Sequence, residues 1–164
     1  MSLCHRFDAS AYEFFDGLSC IDVNGGPGRS EDKARYGFVD REGNLRIPAI
    51  YDAAADFSQG VAAVEINGKW GFIDTKGKTV IPLIYNLVGQ FTEGCAPVKL
   101  NNKYGYIDVK GNTIISFIYD EAYQFVDDIA LVKIDGKYNY IDVKGNNALM
   151  SGSRAEYYSR EGME

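Results

Sequence analysis

The sequence predicts an all-β fold of four tandem three-stranded antiparallel meanders, because one motif recurs at a fixed period, short apolar segments alternate, and tight-turn residues separate them. Tyr36, Trp70, Tyr104 and Tyr138 stand 34 residues apart, and each opens a segment that ends in Asp. A fixed period of this length is typical of architectures in which successive units stack. We therefore expect a twisted repeat array of small sheets, with a small closed four-bladed ring as the alternative.

The first long strand of each unit is predicted from alternating side chains. In the second unit Ala62, Val64 and Ile66 fall on one face, and Glu65 falls on the opposite face. Residues 95–100 and 129–134 repeat this pattern with lysine at the polar position. Alternation with a period of two is typical of a strand that has one face on a core. We expect the other face to be in water.

A tight two-residue turn is predicted after this strand. Asn67-Gly68 supplies residues that readily adopt the positive φ angles of such a turn, and Asn24-Gly25 and Asp135-Gly136 occupy the corresponding positions. The third unit has Asn101-Asn102, which tolerates the same geometry at a higher steric cost. The pattern predicts a hairpin in every unit.

The second strand carries the aromatic motif, with Trp70 and Phe72 on one face and Gly71 and Ile73 on the other. A glycine inside a strand lets a neighbouring backbone or ring approach closely. Each such strand ends in an Asp three residues before a glycine: Asp40, Asp74, Asp108 and Asp142. One Asp per unit does not provide the converging oxygen ligands that a cation needs, so we interpret these residues as turn formers that bond their own backbone.

The third strand is predicted to be short, as in Val80-Ile81, and to end at Pro48 or Pro82, because proline removes a ladder donor. A linker follows, in which a tyrosine precedes a phenylalanine by six residues in three units. We expect these rings to pin the linker between successive sheets. The pairs are Tyr51 and Phe57, Tyr85 and Phe91, and Tyr119 and Phe125.

These elements predict a single β domain at 1–149, with units at about 18–47, 61–81, 95–115 and 129–149, followed by an irregular tail at 150–164. Residues 26–34 are an insertion that the other units lack, and their composition is typical of an exposed loop.

The segment from Lys69 to Lys78, followed by Val80-Ile81-Pro82 and Tyr85, resembles the WG repeat family of bacterial β-repeat proteins. The resemblance implies a modular all-β array used in interactions, and it supplies no catalytic residues. The chain departs from the family pattern by Tyr for Trp in three units, and by Asn139 for Gly, Ser116 for Pro and Asp128 for Gly. The last three lie towards the C-terminal end, where a stacked array is expected to have an atypical unit.

Composition limits the partners. The formal net charge of −6 repels phosphate backbones, so we expect no nucleic acid, and a basic protein suits the chain better. No apolar run approaches the length of a membrane span or a signal peptide, so we expect no membrane contact. Three cysteines do not form a paired framework, which favours a cytoplasmic location. Cys20 and Cys95 align with Ala63 and Val61 and are interpreted as small buried side chains.

The sequence does not predict catalysis, a metal or a cofactor. His5 is the only histidine, which argues against a histidine triad or a zinc site. An enzyme of this architecture would need carboxylates that converge from different units.

The leading hypothesis is a non-enzymatic protein-binding repeat module, in one version an immunity or antitoxin protein that neutralises a basic bacterial toxin. The candidate contact residues lie in the insertion and in two acidic linker segments: Arg29, Glu31, Asp32, Lys33, Asp120, Glu121, Asp127 and Asp128. The alternatives are a carbohydrate or cell-wall binding module that uses exposed aromatic rings, and an enzyme with a carboxylate-based site.

Overall fold

The computed structural model describes residues 13–23 and 35–148, and within these ranges the chain forms fourteen β-strands. The strands of the first two sheets are β1 (Ser19–Asp22), β2 (Tyr36–Val39), β3 (Leu45–Tyr51), β4 (Ala53–Ala54), β5 (Val61–Ile66), β6 (Lys69–Asp74) and β7 (Thr79–Tyr85). Those of the last two are β8 (Leu87–Val88), β9 (Cys95–Leu100), β10 (Lys103–Asp108), β11 (Thr113–Tyr119), β12 (Glu121–Ala122), β13 (Ile129–Ile134) and β14 (Lys137–Asp142). The described part of the chain has no helix that is long and apolar enough to cross a membrane.

The predicted fold class is confirmed: the chain is all-β, with four small antiparallel sheets at a 34-residue period. The strand orders are β1-β2-β3, β4-β5-β6-β7, β11-β10-β9-β8 and β12-β13-β14. The linkers contribute short strands that the sequence did not predict. Ala53 and Ala54 of β4, for example, pair with Glu65 and Val64 of the next unit, so the two middle sheets have four strands.

The third strand of the meander is longer than predicted and does not end at proline. Pro48 and Pro82 lie inside the seven-residue strands β3 and β7, and both are exposed. These strands form sheet edges, where a missing backbone donor leaves no ladder bond unmade. The prediction treated the strand as if it had neighbours on both sides.

The prediction of one solvated face is wrong for most of each long strand. Val61, Ala62, Ala63 and Val64 are all buried, and only the end of β5 beyond them is partly exposed. Both faces are covered because the sheets stack face to face, so the middle sheets contribute to two cores. Glu65 is partly exposed, as expected.

Three buried clusters lie between successive sheets, and each combines one face of a sheet with the opposite face of the next. Phe38 and Ile47 of the first sheet pack with Val64 and Ile73 of the second. The corresponding contacts of the other two interfaces join Phe72 and Ile81 to Val98 and Ile107, and Tyr106 and Ile115 to Val132 and Ile141. Among the described residues no such cluster joins the first sheet to the last, which agrees with the twisted array rather than the ring.

The linker phenylalanines pack between the sheets, as predicted. Phe91 meets Phe72 at a ring-centroid distance of 4.8 Å and an interplanar angle of 62°. Phe57 meets Phe38, and Phe125 meets Tyr106, at 4.9 Å in both cases. Edge-on or tilted ring contacts at these distances add to the stability gained from burial alone. The linker is therefore part of the core.

The turn predictions are confirmed where the structure describes them. Asn67 and Gly68 have φ angles of 53° and 74°, and Asn101 and Asn102 have 49° and 66°. Asn24-Gly25 lies outside the described residues. Asp108 Oδ1 accepts hydrogen bonds from the backbone N–H groups of residues 110 and 112, at 2.9 and 2.8 Å. The Asn112 side chain also donates to this carboxylate and is the main cause of its lowered pKa.

The cysteines differ from the prediction in one respect. Cys95 is a buried free thiol, as expected, but Cys20 is disulfide-bonded, and its partner lies outside the described residues. The interpretation of Cys20 as a small buried side chain is therefore wrong, because the residue is partly exposed and its sulfur is in a disulfide. The cysteine-based argument for a reducing compartment also no longer holds.

We expect Cys95 to be unreactive in the folded protein. Burial, with a contribution from the nearby Glu93 carboxylate, raises the pKa of the Cys95 thiol to about 11. Only the thiolate reacts, so alkylation by iodoacetamide near pH 8.5 should be at least about a hundredfold slower in the native than in the unfolded chain. Peptide mapping by mass spectrometry gives the rate at this residue. Similar rates in the two states would contradict the burial of this thiol between the third and fourth sheets.

Candidate functional site

Each of the first three sheets carries a bulge on its third strand. Phe72 of β6 pairs with Ile81 of β7. Trp70 lies two residues before Phe72, but it pairs with Tyr85, which lies four residues after Ile81. Three residues, 82–84, therefore lie opposite the single residue Gly71. The same register shift occurs in the other two sheets and creates bulges at 48–50 and 116–118. A bulge of this kind bends the strand and redirects its side chains.

A glycine opposite each bulge makes it possible. A Cβ atom placed on Gly71 would lie 2.5 Å from the carbonyl oxygen of Ile81 and 2.7 Å from the carbonyl carbon of Pro82. The corresponding atom on Gly37 or Gly105 would lie 2.7 Å from a backbone oxygen of the third strand. Any side chain here would push the bulged strand away, so the repeated glycine is required by close backbone approach.

The middle residue of the bulge packs back onto the preceding unit. Phe117 stacks on Tyr85 at a centroid distance of 6.4 Å and an interplanar angle of 15°. Leu83, at the corresponding position, packs against the cluster between the first two sheets, which includes Tyr51. These contacts anchor the bulges of the second and third sheets, and the residues on either side of Leu83 and Phe117 are exposed.

The last residue of each of the three bulges is an exposed isoleucine. Ile50, Ile84 and Ile118 are 52%, 46% and 48% exposed, respectively. We call these three side chains the isoleucine ladder. The buried clusters show that successive sheets stack, and because stacked sheets generally lie about 10 Å apart, we estimate a similar step between neighbouring isoleucines. A single exposed aliphatic residue is ordinary, but the same exposure at one position of three successive units forms a patterned apolar surface.

Basic residues lie beside the ladder. Arg35 donates from Nη1 to the carbonyl oxygen of Ile50 at 3.1 Å and forms an ion pair with Asp52. Lys103 forms the equivalent pair with Asp120, with Nζ 2.6 Å from Oδ1.

The central unit differs at this position. Lys69 is the corresponding residue, but Asn86 replaces the acidic partner. Among the described residues Lys69 makes no ion pair. Lys69 thus lacks the acidic partner that Arg35 and Lys103 have at the equivalent positions of the neighbouring units.

Two of the predicted contact residues, Asp120 and Glu121, are engaged within the chain. The hydrogen bond from Lys103 is the main cause of the lowered pKa of Asp120. Glu121 accepts a hydrogen bond from Lys133 at 2.9 Å, and Tyr138 donates to it at 3.0 Å. These two bonds, that from Lys133 first, lower the pKa of Glu121. The two carboxylates therefore take part in intramolecular pairs rather than forming an open acidic patch.

Asp127 and Asp128 lie exposed in a tight turn, and their backbone N–H groups donate to the two carboxylate oxygens of Glu93 at 2.8 and 2.9 Å. In the same manner the carboxylate of Asp16 accepts from the backbone N–H of Gly60 at 3.0 Å. A carboxylate in one unit thus caps the corresponding turn of the next. The other predicted contact residues, Arg29, Glu31, Asp32 and Lys33, lie outside the described residues.

The isoleucine ladder was missed at the sequence level. The available signal was an isoleucine directly before each linker tyrosine, at positions 50, 84 and 118. From the sequence this isoleucine could not be distinguished from a core residue, because the exposure of its side chain depends on the bulge.

A small cavity of about 80 Å³ lies between two linkers of the array. Its walls are mainly Phe15, Phe57, Phe72 and Phe91, and Asp56 is the only carboxylate among its lining residues. Within the described ranges no group of three His, Cys, Asp or Glu residues could hold a metal ion. The cavity can accept a small apolar group, and its lining offers no pair of carboxylates for acid and base chemistry.

A family model described as WG containing repeat matches three consecutive stretches of the chain, at residues 36–70, 70–104 and 104–138. Each match runs from one motif aromatic to the next and so contains one bulge and one linker. Comparisons with curated proteins and with solved structures find no match.

We expect the Gly71→Ala substitution to destabilise the protein by about 3 kcal/mol, because the added methyl group collides with the backbone of β7. Chemical unfolding measures this change. Asn139→Ala is the matched control: it alters the same repeat position, no bulged strand lies beside it in the described residues, and it should change the free energy of unfolding by less than about 0.5 kcal/mol. Equal effects of the two substitutions would contradict the proposed role of the glycine.

Proposed function

The chain belongs to the WG containing repeat family, and from this premise we propose that it is a non-enzymatic protein-binding module whose contact surface is the isoleucine ladder. The observation that carries the proposal is the half-exposed isoleucine at the same position of three successive units. A repeat scaffold recurs in its core and displays surface residues at a regular spacing, which suits an extended contact with another macromolecule.

The chemistry of the ladder favours a protein partner. Its side chains are aliphatic and offer no hydrogen bonds for a sugar. Protein contact surfaces bury such side chains at their centre and leave charged groups at the rim, as Arg35 and Lys103 are placed here.

The carbohydrate alternative finds less support in the aromatic residues. Sugar binding would require exposed rings, but Tyr36, Trp70 and Tyr104 are partly buried and each packs against one of the inter-sheet clusters. Tyr138, at the same position of the last unit, is 45% exposed, and its hydroxyl group donates to Glu121. The partial burial of the first three rings is explained by the core.

The immunity or antitoxin version of the proposal rests on charge. The net charge of −6 would steer a basic toxin towards the chain, and the exposed acidic residues of the turns could contribute. These are Asp16, Glu93, Asp127 and Asp128. In this version the toxin would be the protein that covers the ladder.

The proposal predicts that a variant with Ile50→Ser, Ile84→Ser and Ile118→Ser loses its partner while keeping its fold. The bound protein is captured from a lysate of the source organism, identified by mass spectrometry, and its affinity for purified chain is then measured. We expect the affinity to fall at least about tenfold, because three buried aliphatic contacts are lost.

The matched control replaces three exposed aliphatic residues outside the ladder, Leu45, Leu87 and Val143, by serine. It should bind the partner as the unaltered chain does. If the ladder variant unfolds at the same temperature as the unaltered chain and binds the partner with the same affinity, the contact surface lies elsewhere.

A further inference from the structure

We propose that the segment covering the isoleucine ladder is an amphipathic α-helix of the partner, which lies along the array axis with apolar side chains seven residues apart and a carboxylate opposite Lys69. This inference rests on the proposed function, since it names the recognition element that the ladder accepts. It is argued from the spacing of the ladder, the backbone of the bulges and the distribution of charge.

Spacing favours a helix. The ladder offers an apolar contact at steps of about 10 Å, the separation of stacked sheets. Seven residues of α-helix advance about 10.5 Å in almost two full turns, so side chains at this interval point the same way. An extended strand covers the same distance in about three residues, but the third side chain then points to the opposite face. A strand therefore cannot present successive side chains to all three isoleucines.

A polyproline helix also repeats its side-chain direction, at about 9.3 Å per three residues. Such ligands dock in grooves lined by aromatic rings. The ladder consists of aliphatic side chains, and Tyr85, the nearest tyrosine along the chain to Ile84, is buried beneath Phe117. The surface therefore favours an α-helix over a polyproline ligand.

The backbone of the bulges argues against addition of a partner strand to the sheet edges. A new strand needs a regular row of free donors and acceptors. The bulges interrupt that row in β3, β7 and β11, and Pro48 and Pro82 lack a donor within the first two. The partner must therefore be recognised through side chains. An α-helix suits this kind of contact because its backbone groups are already hydrogen-bonded to one another.

The charge beside the ladder specifies one further feature of the helix. Asp52 and Asp120 neutralise the basic residues at both ends, whereas Asn86 leaves Lys69 without an acidic partner. A carboxylate on the helix, placed near its central apolar residue, would complete the missing pair. The requirement is local, so it applies whether the partner as a whole is acidic or basic.

The test uses synthetic peptides of about 21 residues, the length of three heptads. The first has leucine at seven-residue spacing and a glutamate beside the central leucine. The second has the same composition with the leucines placed around the helix, and the third is proline-rich with leucine at every third position. Calorimetry measures the binding of each to the full chain, to the Ile50→Ser/Ile84→Ser/Ile118→Ser variant and to Lys69→Gln.

We expect the heptad peptide to bind one chain at least about tenfold more tightly than the other two peptides. The ladder variant should abolish this binding. Lys69→Gln should weaken it, and it should have no effect on a heptad peptide whose glutamate is replaced by glutamine. Circular dichroism should show that the peptide gains helix when it binds.

Preferential binding of the proline-rich peptide would overturn the inference, as would equal binding of the heptad and redistributed peptides. Failure of the heptad peptide to bind at about 1 mM would also overturn it. If the ladder variant has nevertheless lost the natural partner, the proposed function stands and only the helical recognition element is wrong. If the ladder variant keeps the partner, the proposed function itself fails.

Discussion

The close approach of two backbones at Gly71 is the constraint on which the rest of the structure depends. A side chain at this position would overlap the carbonyl group of Ile81, so only glycine lets the third strand fold over the second. The extra length of the third strand then forms a bulge, whose middle residue packs on the unit before it. The same bulge displays an isoleucine to solvent. In the second and third units the glycine thus permits an inter-unit contact, and in the first three units it permits the exposed isoleucine of the candidate binding surface.

Stacking gives the small sheets their stability. A single unit of a repeat array cannot bury its hydrophobic faces alone, and here the middle sheets have a core on both faces. The linkers strengthen each interface, because they insert a phenylalanine into it and contribute a short strand to the next sheet. The departures from the repeat pattern fit this arrangement. Asn139 occurs in the last sheet, where Asn147 makes only an isolated bridge in place of a third strand.

Local chemistry explains which features could be predicted from the sequence. The period, the φ angles of Asn67-Gly68 and the hydrogen bonds of the turn aspartates depend on residues close together in the chain, and all were predicted. The linker aromatics were placed correctly because their spacing repeats. The burial of both faces of β5 was missed, since it arises because the second sheet packs between the first and the third.

The candidate site could not be predicted from the sequence, because it depends on contacts between residues that lie far apart in the chain. Exposure of Ile84 follows from a register shift that no single strand encodes, and the pairing of Asp120 with Lys103 joins residues from different elements. The assignment of proline as a strand end failed because it ignored that β7 is a sheet edge. In each case the deciding factor was a neighbour in space.

The register of the bulged strands is the most direct test of this account, and nuclear Overhauser effects between backbone protons measure it. The account predicts cross-strand contacts of Trp70 with Tyr85 and of Tyr36 with Tyr51. A regular ladder would instead connect Trp70 with Leu83 and Tyr36 with Ala49. Observation of this regular pattern would remove the bulges, and with them both the explanation of the glycine and the isoleucine ladder.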